Sequence, residues 1–205
     1  MTKGQQQKET RVFESRLEYR AGENGSGGKL SGLAVPFNVR STLIDEDDTQ
    51  FFEIIDPRAF EETINSNAEV MMLSSHEWDA PLARRSAGRL SLSAESDGIH
   101  FEATPPDTTR ASDLQKDIQA GNIRGMSFGF VATEDEWTEE NGELVRRVLK
   151  GELYEISPVV CPAYPDTAIA SRSLKEFQKR ERKPKILNAL RAARLKLLKA
   201  KLNIK

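Results

Sequence analysis

The short run of residues 125–131 constrains the fold more than any other stretch of the sequence. Three large apolar residues alternate here with three small ones, Met126, Phe128 and Phe130 with Gly125, Ser127 and Gly129. Successive side chains of a strand point to opposite faces, so the run predicts a strand with an apolar core face. Its other face carries one hydroxyl between two glycines, which favours close approach of another backbone. A small residue packed beneath a neighbour fits the same pattern.

The same two-residue period recurs within residues 11–171. Residues 89–93 and 99–103 alternate on either side of the turn 95–98, which predicts a β-hairpin. Residues 153–160 are a nearly continuous apolar run and predict a buried strand. Short strands joined by turns favour an α+β fold that is mainly β, either a barrel or a sandwich.

Two helices are predicted to interrupt these strands. In the first, over residues 56–64, Asp56 is the expected cap and Pro57 takes the first helical position. The second covers residues 108–120 and is expected to stop at Gly121.

Charge is divided unevenly along the 205 residues. Residues 172–205 carry 13 Lys or Arg against 2 Glu, a net charge of +11, and since the chain totals −2 the remainder carries −13. Such asymmetry indicates two units with different partners. We predict a disordered N-terminal segment over residues 1–10, a folded domain over 11–172 and a basic helical tail over 173–205.

The tail shows a heptad pattern. Its apolar residues recur at spacings of four and three: Ile186, Leu190, Ala193, Leu197, Ala200 and Ile204. With Lys and Arg on the remaining positions, this predicts a basic amphipathic helix. Such a helix could pair with a helical partner or with another copy of itself. It could also bind DNA or RNA through charge, or lie on a membrane surface. Pairing is the interpretation we favour.

The sequence contains no membrane-spanning run, since no window approaches the roughly 20 apolar residues that a span needs. Residues 1–11 are polar and lack the apolar core of a signal peptide. Cys161 is the single cysteine, which excludes an internal disulfide framework and fits a reducing compartment. We therefore expect the protein to act in the cytoplasm of the cell that makes it.

Residues 125–129, GMSFG, match the G-x-S-x-G pattern of the α/β-hydrolase nucleophile elbow. That elbow requires a strand before the serine, a helix after it and a triad histidine later in the chain. Here a helix and a turn precede Ser127, the strand continues beyond it, and both histidines come earlier. The elbow is therefore excluded.

A serine nucleophile needs a base within hydrogen-bond reach, usually an imidazole, and the chain has two histidines. His100 alternates with Ile99 and Phe101 and is predicted to face solvent. His76 ends the apolar run 70–76, which places it at a rim of the sheet, where functional sites are often built. An ordinary histidine at a strand end fits that position equally well.

A carboxylate that orients the imidazole would complete such an arrangement. Glu155 lies within the apolar run 153–160, where a carboxylate is costly to bury unless it is paired or hydrogen-bonded. Asp79, three residues after His76, competes for the same role. An ion pair with an arginine would also explain Glu155.

Neither a metal site nor a cysteine nucleophile is indicated. The zincin pattern needs a second histidine four residues after His76, where Ala80 stands, and no cluster of Cys or His occurs elsewhere. Cys161 follows an apolar run and precedes Pro162, which favours a buried structural thiol. We expect no metal and no cofactor.

Seven segments together resemble the prohead-protease family of HK97-type tailed phages. They follow the family's order and are residues 33–38 (LAVPFN), 53–60 (EIIDPRAF), 73–76 (LSSH), 81–84 (PLAR), 98–103 (GIHFEA), 123–130 (IRGMSFGF) and 153–165 (LYEISPVVCPAYP). The resemblance covers about residues 11–172 and is more specific than any one motif. The tail lies outside it.

The resemblance implies a serine endopeptidase with the fold of the herpesvirus assembly proteases, a β-barrel surrounded by a few helices. By motif position, His76 matches the family's catalytic histidine and Ser127 its serine, while Glu155 falls at the third member. The herpesvirus enzymes use a second histidine there. The exposed alternation of His100, and the family's usual apolar residue at its position, argue against that role. Glu77 keeps the family's acidic residue after the histidine.

The resemblance also implies the partners. Such enzymes cleave the scaffolding part of the major capsid protein precursor inside the assembling prohead, in the cytoplasm of the bacterial host, and commonly cleave themselves. We therefore expect capsid maturation activity, self-association and contact with nucleic acid only through the tail, which self-cleavage could remove. The alternative is a non-enzymatic assembly factor that binds capsid subunits.

Overall fold

The computed structural model describes residues 8–20, 28–44, 50–66 and 68–160. The strands are β1 Lys8–Glu14, β2 Glu18–Arg20, β3 Lys29–Pro36, β4 Ser41–Ile44, β5 Gln50–Ile55, β6 Met71–Ser74, β7 Glu77–Arg84, β8 Leu90–Ala94, β9 Gly98–Ala103, β10 Gly125–Glu140 and β11 Glu143–Val159. Within these ranges the helices are α1 Glu61–Asn65 and α2 Thr109–Gln119, with a 3₁₀ turn at Arg85–Ala87. The prediction of a mainly β fold is confirmed.

The described strands form two sheets. The larger follows the order β1-β10-β11-β5-β4, and the β6–β7 hairpin joins it through a parallel pairing of β6 with β11. The smaller follows the order β2-β3-β9-β8. The expected barrel takes an open form in the described residues, because β1 and β4 end the path of the larger sheet and do not pair with each other.

Both sheets contribute to one hydrophobic core. The core includes Met126, Phe128 and Phe130 of β10, whose burial the alternation of residues 125–131 predicts. It also includes Phe101 of β9. Phe60 packs edge-on against both Phe128 and Phe130, at centroid distances of 6.3 and 5.6 Å. The apolar face of β10 therefore anchors the strand and leaves its other face to the small residues.

The predicted hairpin over residues 89–103 is confirmed, since β8 and β9 pair antiparallel and the Glu95 N–H donates to the carbonyl of Gly98. Helix α2 also forms as predicted. The Thr108 hydroxyl caps it by accepting from the Ala111 N–H at 3.3 Å, and the chain turns at Gly121, whose φ is +77°.

Helix α1 is shorter than predicted. It begins at Glu61, because the Asp56 carboxylate accepts from the Arg58 N–H at 3.0 Å and holds the residues after Pro57 in turns. At its other end, Arg85 donates to the carbonyls of Thr63 and Ile64 at 2.9 and 3.1 Å. These bonds satisfy carbonyl groups that a helix C-terminus leaves without partners.

The predicted disorder of residues 1–10 is wrong for residues 8–10. They belong to β1, which pairs with β10 over its whole length, from Lys8 opposite Val131 to Glu14 opposite Gly125. Residues 1–7, the domain boundary at 172 and the tail all lie outside the described residues. No helix in the described part of the chain is long and apolar enough to cross a bilayer.

A cluster of buried ion pairs links β1 to β5 and β11. Arg11 contacts Glu53 at 2.6 Å, and Arg146 contacts Glu53 at 2.8 Å and Glu9 at 2.6 Å. Burial alone raises the pKa of Glu53, but the Arg11 and Arg146 guanidiniums outweigh it and hold that pKa below its usual value. Glu53 is therefore ionised in the folded protein.

Replacing Glu53 by Gln is expected to lower the free energy of unfolding at pH 7 by about 3 kcal/mol, because it removes one carboxylate from Arg11 and Arg146 and leaves Glu9 as the buried carboxylate that both guanidiniums share. A carboxylate whose pKa is lowered by folding stabilises the folded state at pH values above its unfolded-state pKa. That stabilisation is lost as the pH falls through its folded-state pKa. The difference in the free energy of unfolding between wild type and E53Q should therefore become smaller in acid. Urea unfolding at pH 7 and below pH ~4 measures this difference. E69Q, in the exposed Glu69–Arg84 pair, is the control expected to change little.

Candidate active site

Ser127 lies on β10 opposite Ser157 of β11 and Val12 of β1. The residue is 0 % exposed. Its hydroxyl donates to the backbone carbonyl of Arg11 at 2.9 Å. Ser127 thus occupies the small-residue face predicted for this strand, with its hydroxyl held by the neighbouring edge strand.

The fold brings His76 and Glu155 together across 79 positions of sequence, with 2.7 Å between Nδ1 and Oε1. The Glu155 side chain is 3 % exposed and that of His76 is 34 % exposed. Among the described ion pairs, Glu155 has His76 as its partner rather than an arginine. Asp79, the competing candidate, makes no described contact with His76. The imidazole thus explains the carboxylate in an apolar strand.

The contact assigns the tautomer of His76. An ionised carboxylate only accepts hydrogen bonds, so Nδ1 carries the proton that it donates to Glu155. In the neutral imidazole, Nε2 then has the lone pair. The ring is therefore prepared to accept a proton at Nε2, which is what a general base has to do.

Ser157, a residue that sequence reasoning missed, links the carboxylate to the histidine backbone. Its hydroxyl donates to Glu155 Oε2 at 2.7 Å and accepts from the His76 N–H at 3.2 Å. The residue is 0 % exposed. Its position could have indicated this role, because a residue two places after Glu155 on a regular strand shares its face.

Gly129 makes room for the carboxylate. The β10–β11 pairing shifts at this point, so that Tyr154 and Glu155 both stand against Gly129. A Cβ on Gly129 would lie 2.5 Å from Glu155 Oε1 and 2.7 Å from the Tyr154 ring. The glycine was expected to admit another backbone, but in the structure it admits a carboxylate and an aromatic ring from the adjacent strand.

His76 lies in a strained turn between β6 and β7, whereas the sequence predicted a strand end. Ser75 and His76 have φ values of +49° and +65°. A two-residue hairpin loop with both φ values positive is usually Asn-Gly, so this one is held by its surroundings. The Ser75 N–H donates to the carbonyl of Pro158 at 3.3 Å, and the His76 N–H donates to Ser157.

Ser127 and His76 are neighbours of the same residue but are not bonded to each other in the described structure. Ser127 directs its hydroxyl to Arg11, while His76 contacts Ser157, the cross-strand partner of Ser127. Directly opposed residues of an antiparallel pair have Cβ atoms about 4.5–5.5 Å apart. Ser127 is therefore directly adjacent to Ser157, the residue that accepts the hydrogen bond from the His76 N–H.

His100 lies on β9 in the smaller sheet, whereas Ser127, His76 and Glu155 belong to the larger one or its attached hairpin. Its Nε2 is 2.9 Å from Asp97 Oδ1, and this hydrogen bond lowers the pKa of Asp97. With Glu95, three groups that can ligate a metal lie within 4.8 Å of one another. Glu95 and Asp97 lie in the exposed turn before β9 and His100 lies on β9 itself, and the arrangement alone indicates no metal centre. Cys161 lies outside the described residues.

Comparison with known proteins shows that this chain is similar to proteins of tailed phages. Residues 15–180 match the family described as caudovirus prohead serine protease. The prohead protease of Enterobacteria phage HK97 is 30 % identical over 152 residues, which are 72 % of this chain and 61 % of that protein. The chain thus spans about three fifths of this relative's length. The solved capsid assembly protease of bacteriophage T4, gp21, matches with a TM-score of 0.48 and 12 % identity over 74 % of this chain and 97 % of that one.

Proposed function

Because the chain belongs to the caudovirus prohead serine protease family, we propose that it is a serine endopeptidase that cleaves the scaffolding part of the major capsid protein during prohead maturation. The observation that carries the proposal is the buried Glu155 carboxylate on His76 Nδ1, at 2.7 Å, on the strand next to Ser127. Burying a carboxylate costs free energy of desolvation unless it is paired. A carboxylate that bonds an imidazole can orient that imidazole as the base that activates a serine for acyl transfer.

In the proposed mechanism Ser127 Oγ attacks the peptide carbonyl carbon while His76 Nε2 takes the hydroxyl proton. His76 then gives that proton to the leaving amine, and water hydrolyses the acyl-enzyme ester with His76 again acting as base. Glu155 keeps the proton on Nδ1 and stabilises the imidazolium that forms. The Ser127 hydroxyl has first to leave the Arg11 carbonyl, a rotation between staggered χ1 positions.

Ser157 has a positioning role in this proposal. It fixes the second carboxylate oxygen of Glu155 and the strained backbone of His76, and so sets the direction in which the imidazole points. Hydrogen bonds to charged groups contribute about 1.5–3 kcal/mol, so the loss of this one should be measurable in the chemical step.

Replacing Ser157 by Ala is expected to lower kcat roughly 10- to 100-fold, with a small change in KM. The affected bonds orient the base and do not contact the substrate. Steady-state kinetics on a peptide spanning the cleavage site measures kcat and KM separately. S91A, at an exposed serine of β8, is the control. An unchanged kcat in S157A would rule out the positioning role.

Co-expression with the capsid protein precursor tests the function itself. Mass spectrometry of the products should find the precursor shortened at defined bonds. An intact precursor that still assembles together with the folded protein would instead support a non-enzymatic assembly factor. Such a factor has no use for a carboxylate–imidazole contact beside a buried serine.

The basic tail, residues 173–205, has a binding role in this proposal. Its heptad spacing suits pairing with a helical scaffolding segment or with a second copy of the chain, inside the prohead that assembles in the bacterial host. The rest of the chain carries a net charge of −13 and would repel a phosphate backbone, so nucleic acid contact is confined to the tail.

A further inference from the structure

Two aromatic side chains lie directly beside the residues proposed for catalysis. Trp78 follows His76 by two residues, and Tyr154 immediately precedes Glu155. Their rings stack with centroids 6.3 Å apart and planes 17° apart. Trp78 is 57 % exposed, although indole rings stabilise proteins chiefly when they are buried. This pair, Trp78 and Tyr154, is termed the aromatic floor.

The pairing register places the aromatic floor close to Ser127. Tyr154 stands against Gly129, two residues along β10 from Ser127. At about 3.4 Å per residue this is roughly 7 Å of strand. An extended peptide whose scissile bond lies at Ser127 covers that distance with two residues. A side chain close to the cleaved bond can therefore reach the floor.

The aromatic floor already holds a cation. The Lys8 ammonium lies 4.8 Å from the ring centroid of Tyr154 and 5.3 Å from that of Trp78, distances at which cation–π attraction operates. Burial and the charge of Glu155 raise the pKa of Tyr154, so its phenol stays neutral. Lys8 is the first residue of the edge strand β1, so the position it occupies lies at the margin of the sheet.

The surface next to the floor is acidic. Tyr154 also lines a cleft of about 710 Å³ beside α1, whose charged lining residues include Arg58 and Lys150 against five glutamates: Glu61, Glu62, Glu69, Glu134 and Glu152. A peptide that leaves the floor along this cleft meets excess negative charge. Cation–π attraction at the floor and negative charge beyond it favour the same class of ligand, a basic peptide.

We propose that the aromatic floor is a substrate subsite that binds a lysine or arginine side chain about two residues from the scissile bond, in the position that Lys8 occupies. This inference rests on the proposed protease function and deepens it by naming the substrate class. Trp78 and Tyr154 are then specificity-determining residues. Lys8 competes with the substrate for the floor.

A random peptide library digested by the full-length protein, with products identified by mass spectrometry, tests the subsite. Wild type should enrich lysine or arginine about two residues from the cleaved bond. W78A should lower that enrichment about 5-fold, and W78F should retain most of it, because phenylalanine keeps a ring face. K8M should raise the enrichment, since it removes the competing cation. V39A, which shortens another exposed apolar side chain, is the control and should match wild type.

Unchanged basic enrichment in W78A, or no rise in K8M, would overturn the subsite and leave the protease proposal standing. An absence of any cleavage by wild type, on the library and on the capsid precursor alike, would contradict the protease proposal and the subsite with it.

Discussion

The S127A variant is expected to leave the capsid protein precursor uncleaved, with kcat reduced by about 10⁴-fold or more. Without Oγ no acyl-enzyme can form, and the remaining machinery has nothing to activate except water. The variant should still fold, because Ser127 is 0 % exposed and alanine fills nearly the same space. The loss of the bond to the Arg11 carbonyl should cost only about 1 kcal/mol. Co-expression followed by mass spectrometry, and thermal unfolding, measure the two effects.

S93A is the matched control, because Ser93 is an exposed serine of β8 in the other sheet. It should process the precursor as wild type does. Wild-type processing by S127A would show that Ser127 is not the nucleophile. Ser157, whose hydroxyl lies on the opposite strand, would then be the next candidate, and the double variant would decide.

The parts of the fold that sequence predicts are those governed by local periodicity. The alternation of residues 125–131 predicts β10 and its buried face, because a two-residue period requires no knowledge of the neighbouring strands. The same holds for the β8–β9 hairpin. Helix α1 shows the limit, since the Asp56-Pro57 signal is real but is used in a turn, four residues before the helix begins.

The candidate site is predicted one residue at a time, but its assembly is not. Glu155 was identifiable because a carboxylate in an apolar run needs a partner. That the partner is His76 depends on the parallel pairing of β6 with β11, which no local pattern encodes. The turn conformation of His76 is equally hidden, because Ser-His is not one of the dipeptides, such as Asn-Gly, that indicate a two-residue hairpin loop with both φ values positive.

The pairing shift at Gly129 explains why the two proposed features of the site lie together. It places Tyr154 and Glu155 on the same side of the glycine, where Tyr154 stacks on Trp78 and Glu155 bonds His76. Residues adjacent on a regular strand would point to opposite faces. A β-bulge that re-aims a side chain next to a functional site is a recurrent use of this irregularity.

The E155Q variant is expected to lower kcat by about 10²- to 10⁴-fold while the protein remains folded. Both carboxylate oxygens are in use, one by His76 Nδ1 and the other by the Ser157 hydroxyl. Glutamine has the same shape but replaces one oxygen by an NH₂ group, and it removes the charge that stabilises the imidazolium. An NH₂ group facing Nδ1 would favour the tautomer protonated at Nε2, which cannot accept the Ser127 proton. Kinetics on the cleavage-site peptide measures the loss.

A comparison of E155Q with E102Q separates the catalytic effect from the general loss of a carboxylate. Glu102 is an exposed strand residue of the smaller sheet, and its distant pairing with Lys29 at 4.0 Å contributes little. E102Q should therefore retain wild-type kcat. If E155Q retained wild-type kcat as well, Glu155 would be a structural partner of His76 alone, and the orienting carboxylate would have to be another residue. A loss confined to E155Q, with unfolding unchanged, would instead support Glu155 as the residue that keeps His76 in the tautomer the base needs.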